Sequence, residues 1–134
     1  MRKILVAVDG SPSSEKALEA AVRLARMDGG RLAAVAVLEC GGDPRLEQLA
    51  GQARVRARQH VEEVLGAAVN FARSRGVGLT PILREGHPAE SIVACAESEG
   101  IDLVVLGAGP TKAGLGGTAD RVSGHCPCTV LLVK

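Results

Sequence analysis

Three segments carry residue types whose spacing could do chemistry. The first runs Gly107-Ala108-Gly109-Pro110-Thr111-Lys112-Ala113-Gly114-Leu115-Gly116-Gly117-Thr118, five glycines in twelve residues. Glycine lets backbone N–H groups approach an anion closely and converge on it. The segment runs into a predicted helix start at Gly117-Thr118, where free N–H groups, the helix dipole and a threonine hydroxyl can meet a phosphate. Lys112 could add a positive charge. Neither standard phosphate fingerprint is present. A Walker loop needs a lysine before the final Ser or Thr, and a dinucleotide fingerprint belongs after the first strand with other glycine spacing. On composition alone the segment reads equally as a phosphate cradle or as a plain connection over a sheet.

The second segment is Asp9-Gly10-Ser11. Asp9 can cap the helix that follows, or accept hydrogen bonds from a ribose or a base. The third is His125-Cys126-Pro127-Cys128, which holds three soft-metal donors in four residues. Entering a strand, however, it would point Cys126 and Cys128 one way and His125 the other. Buried thiols are the expectation and no metal is assigned. Cys40 and Cys95 are expected to be free thiols of a cytosolic chain. Arg54, Arg56 and Arg58 read as a solvated face balanced by Glu62 and Glu63, and His60 and His87 receive no chemistry.

The elements that must position these segments follow from hydrophobic pattern. Ile4 to Val8, Leu32 to Leu38, Val77 to Leu83, Ile101 to Leu106 and Thr129 to Val133 are apolar runs of strand length. Pro81 marks the third as an edge strand. Between them lie four helices. The first opens with Ser11 as N-cap and Pro12 as first helical residue, and buries Ala17, Leu18, Ala21, Val22 and Ala25 up to Gly29-Gly30. The second is long, from about Arg45 to Ser74, with a stripe of Val61, Val64, Leu65, Ala68, Val69 and Ala72. The third follows Gly86-His87-Pro88 and turns Ala89, Ile92, Val93 and Ala96 inward, and a short fourth spans roughly Ala119 to Gly124. Strands joined by helical crossovers must be parallel. The expectation is an α/β fold with an open, doubly wound, five-stranded parallel sheet and helices on both faces. Ligands of such sheets sit beyond the carboxyl ends of the strands, where strand order reverses.

The 134 residues suit one domain, residues 1–134, without linker or repeat. Sixteen basic and fifteen acidic residues leave a net charge of +1, too weak a field for nucleic acid or an anionic membrane. Phe71 is the only aromatic residue, which argues against base stacking. A bound purine would have to be held by aliphatic side chains and backbone polar groups. The apolar run at the start ends at Asp9, too short for a signal peptide core, and no stretch reaches membrane-span length. The expected location is the cytoplasm.

The chain resembles the universal stress protein family along its whole length. The resemblance rests on Lys3-Ile4-Leu5-Val6-Ala7-Val8-Asp9-Gly10-Ser11, Gly86-His87-Pro88-Ala89-Glu90-Ser91-Ile92, Ile101 to Gly107, and Cys126-Pro127-Cys128-Thr129-Val130-Leu131-Leu132-Val133. It implies strand order 3-2-1-4-5, a fold of adenine nucleotide alpha hydrolase type, and a homodimer formed through the last strand. It also implies ATP, ADP or AMP as ligand, with magnesium accompanying the phosphates. Carried over by position, Asp9 would hold the adenosine, Ala7, Val8 and Val37 would line the adenine pocket, and Leu106 and Gly107 would flank it. Gly109, Gly117 and Thr118 would bind phosphates. Members that bind ATP usually carry Gly-x2-Gly-x9-Gly-Ser/Thr after the fourth strand. Here Pro110 stands at the second glycine position, and the segment is three residues shorter. The alternative function is a dimeric stress module that binds no nucleotide and acts through an unknown protein partner. No catalytic residue is assigned, because the glycine-rich segment holds no carboxylate or histidine to activate water, and turnover would be slow ATP hydrolysis at most.

Overall fold

The computed structural model describes residues 2–39, 51–108 and 117–134. The element order is β1 (Lys3–Ala7), α1 (Pro12–Asp28), β2 (Arg31–Glu39), α2 (Gly51–Ser74), β3 (Leu79–Gly86), α3 (Pro88–Ser98), β4 (Leu103–Gly107), α4 (Gly117–His125) and β5 (Thr129–Val133). All pairings are parallel and the sheet order is β3-β2-β1-β4-β5, as the resemblance implied.

Side chains alternate across a strand, so β1 feeds two cores. Ile4, Val6 and Val8 join Ala17, Leu18, Ala21 and Val22 of α1 and Leu65, Ala68 and Ala72 of α2 on one face. Leu5, with Val35, Val104 and Leu106, joins Ala89, Ile92 and Cys95 of α3 and Val122 of α4 on the other. Val104 and Val105 are both fully buried. Each such side chain contributes about 1.5–3 kcal/mol by leaving water.

α1 is built as its residues predict. Ser11 is the N-cap and accepts from the Ser14 N–H, Pro12 opens the helix, and Gly29 closes it in the left-handed region at φ 63°. Pro81 does lie on an edge strand.

Several boundaries differ from the expectation. β3 begins at Leu79 instead of Val77 and continues to Gly86, because it pairs with β2 in a register running from Leu32↔Leu79 to Glu39↔Gly86. β4 runs from Leu103 to Gly107, with Ile101 and Asp102 serving the turn out of α3. His125 is the last residue of α4 and not part of a strand. The expected opening of the second helix, residues 45–50, lies outside the described residues, as does Cys40. Among the described residues no helix is long and apolar enough to cross a membrane.

Candidate functional site

β1 is the switch point of the sheet: the chain leaves it toward β2 on one side and returns beside it as β4 on the other. A cleft of about 390 Å³ opens at the carboxyl ends of these strands. Its size is in the range of small-molecule sites.

The Asp9-Gly10-Ser11 turn forms one rim. The Ser11 N–H donates to Asp9 Oδ1 at 2.9 Å, and the Asp9 N–H donates to Ser14 Oγ at 3.2 Å. Ser14 Oγ in turn donates to the Ser11 carbonyl at 3.1 Å, and the Ser14 N–H to Ser11 Oγ at 3.1 Å. Asp9 is therefore not the helix cap; Ser11 is, and Asp9 braces the residue that caps. Burial alone would raise the Asp9 carboxyl. Hydrogen bonds from Ser11, then Ser14 and the backbone, outweigh it and hold the group below its ordinary value. Asp9 is an anion at neutral pH, fixed at the mouth of an apolar cleft.

Seven of the nine residues expected at a site line this cleft: Ala7, Val8, Asp9, Val37, Leu106, Gly107 and Thr118. Gly117 is the first residue of α4, one position before Thr118. Gly109 lies outside the described residues, with Lys112 and the rest of segment 109–116. Gly107 has a packing reason to be glycine. A Cβ there would stand 2.5 Å from the Ser13 carbonyl oxygen and collide with the Ser13 side chain. Only a bare backbone lets the first turn of α1 approach the end of β4 so closely.

The sequence reading missed the outer wall. Ala57, His60, Val61 and Val64 of α2, with Pro88 and Ile92 of α3, also line the cleft. His60 lies over the turn, its Nε2 3.8 Å from where a Gly10 Cβ would be. No local pattern marks His60, because its role depends on α2 crossing the end of β1. The arginines of α2 also find another partner than expected. Arg58 reaches both Glu62 and Glu85 at 3.2 Å, and Arg54 reaches Glu85 at 3.9 Å. Glu85, at the end of β3, ties down the exposed half of α2.

The arrangement offers aliphatic walls for a flat apolar group, a fixed carboxylate for hydroxyl or amine donors, and a helix N-terminus with a hydroxyl for an anion. Among the described residues no group of three His, Cys, Asp or Glu is placed to hold a metal.

The family model described as the universal stress protein family matches residues 1–134. The universal stress protein YxiE of Bacillus subtilis is 32% identical over 145 residues, covering 98% of each chain. The structure of the universal stress protein UspA from Lactobacillus plantarum superposes with a TM-score of 0.89 at 26% identity, covering 99% of this chain and 97% of that one. The universal stress protein from Archaeoglobus fulgidus, solved in complex with dAMP, shares the fold with a TM-score of 0.76 at 23% identity, covering 100% of this chain and 98% of that one.

Proposed function

Because the chain belongs to the universal stress protein family, we propose that it is a single-domain regulatory module that binds an adenine nucleotide in the cleft between β1 and β4. The observation that carries this is that Asp9 and Thr118 line one cleft together with the aliphatic Ala7, Val8, Val37 and Leu106. With no aromatic residue in the lining, the adenine would lie between Val37, Leu106 and the Ala7-Val8 strand end. Asp9 would accept from the ribose hydroxyls, and Gly109, Gly117 and Thr118 would face the phosphates, with magnesium beside them when a di- or triphosphate binds. The dAMP held by the Archaeoglobus relative supports an adenine nucleotide as the ligand class. The shortened glycine-rich segment favours a shorter phosphate chain over ATP. The site binds and does not turn over its ligand, and the bound state sets the module's protein contacts.

Calorimetric titration with AMP, ADP and ATP tests this. Saturable binding of at least one is expected, and Asp9→Ala should weaken it by about tenfold or more, the effect of losing hydrogen bonds to a charged acceptor. Absence of saturable binding up to millimolar concentration of all three would overturn nucleotide binding. Unchanged affinity in Asp9→Ala would move the adenosine out of this cleft.

A further inference from the structure

α4 ends and β5 begins across Cys126-Pro127-Cys128, on the far side of β4 from the cleft residues of α2. The Cys126 N–H still donates to the Val122 carbonyl at 2.8 Å, and the chain then bends at Pro127 and Cys128 before entering β5 at Thr129. The bend brings the two Sγ atoms to 3.2 Å. A disulfide needs about 2.05 Å, so the remaining approach is only about 1.2 Å, within the reach of side-chain rotation. Both thiols are free and half-buried against the α3–α4 core, whereas Cys95 is sealed inside it. A tetrahedral zinc would hold two sulfurs about 3.8 Å apart. The pair sits closer than that, and among the described residues no third ligand is at hand.

We propose that Cys126 and Cys128 form a redox-active dithiol that exchanges reversibly with small-molecule disulfides. One of the two thiolates attacks one sulfur of the disulfide RSSR and expels RS⁻, leaving its own sulfur joined to SR. The other thiolate then attacks that cysteine sulfur and expels the second RS⁻. The two departing thiolates take up the two thiol protons. One dithiol and one RSSR become one protein disulfide and two RSH, and the electron pair passes from the protein to the small molecule. Burial, then the hydrogen bond and charge of Cys126, push the Cys128 thiol up to about 11, so exchange quickens as pH rises. Capping one sulfur removes its charge from beside the other and leaves the second thiol in place to resolve. A ring closed around a single proline is strained, and strained disulfides are the easily reduced, exchanging ones.

Trypsin isolates both thiols in one peptide, residues 122–134, which contains no other cysteine. The full chain is equilibrated with glutathione and glutathione disulfide at graded ratios, blocked with N-ethylmaleimide, digested and weighed. The expected result is a peptide lacking two hydrogens and carrying no maleimide, restored by dithiothreitol. Cys128→Ser should trap one glutathione on Cys126, and Cys126→Ser one on Cys128, because neither variant can close the ring. A wild-type peptide that carries two maleimides even in glutathione disulfide alone would overturn the proposal. So would a stable glutathione adduct without ring closure, or a link to the peptides of Cys40 or Cys95. The wild-type measurement stands without either variant, and it is independent of nucleotide binding.

Discussion

Asp9 is a carboxylate at the end of a buried strand whose charge is supported by donors from its own turn. Its folded pKa is below the ordinary value of 3.8, the combined effect of opposing burial and stronger hydrogen bonding. The sign follows: the ionised form is favoured in the folded state, so its stabilisation is present above about pH 4 and is lost as pH falls through the folded value. Asp9→Asn should flatten the acid limb of thermal stability between about pH 5 and 3, by under about 1 kcal/mol because solvent screens an exposed group. Melting curves of both proteins across that range would test this, and an unchanged acid limb would mean that the Ser11 bond does not bias protonation. At this scale the sequence revealed the site unevenly. Asp9 and Thr118 stand in recognisable turn and helix-start patterns. His60 does not, since an exposed histidine on a helix gains its place from a crossing that no local spacing encodes.

The first turn of α1 and the end of β4 meet so closely that the contact depends on one missing side chain. Gly107→Ala would drive a methyl against the Ser13 backbone. Overpacking of this kind costs about 1–3 kcal/mol. Urea denaturation should show that loss with the fold retained, and nucleotide affinity should fall with it, because Ser13 and Gly107 both line the cleft. Wild-type stability would show that α1 can shift to make room. Element identity was legible wherever local chemistry decides it: the Ser11 cap, Pro12 and Gly29 of α1, or the apolar run of β5. It was less so where tertiary pairing decides. β3 takes its limits from its ladder with β2, so Val77, apolar and predicted as strand, falls in the preceding turn, while Arg84, Glu85 and Gly86 are strand in spite of their propensity.

In the whole molecule, β5 occupies one end of the sheet, and Leu131 and Leu132 are 38% and 41% exposed along it. An apolar edge with unpaired backbone groups is a template for another strand. Pairing with the same strand of a second copy would give the homodimer that the family resemblance implies. Light scattering after size exclusion should give twice the chain mass, and Leu131→Lys with Leu132→Lys should return the monomer mass without loss of folding. A wild-type monomer at high micromolar concentration would refute that assembly. The sheet order has a different consequence for how the chain is made. β1, the central strand, is synthesised before the other four, and β2 and β3 can join one of its sides as they follow. Its other side, with Leu5 destined for the second core, stays open until β4 has been synthesised. Through that interval the nascent chain carries an uncovered apolar strand edge, the kind of surface that holding chaperones recognise. The cleft, bounded by β1 and β4 and closed by Thr118, cannot form until most of the chain has been made, so a small molecule that binds there can stabilise the protein only late in its synthesis.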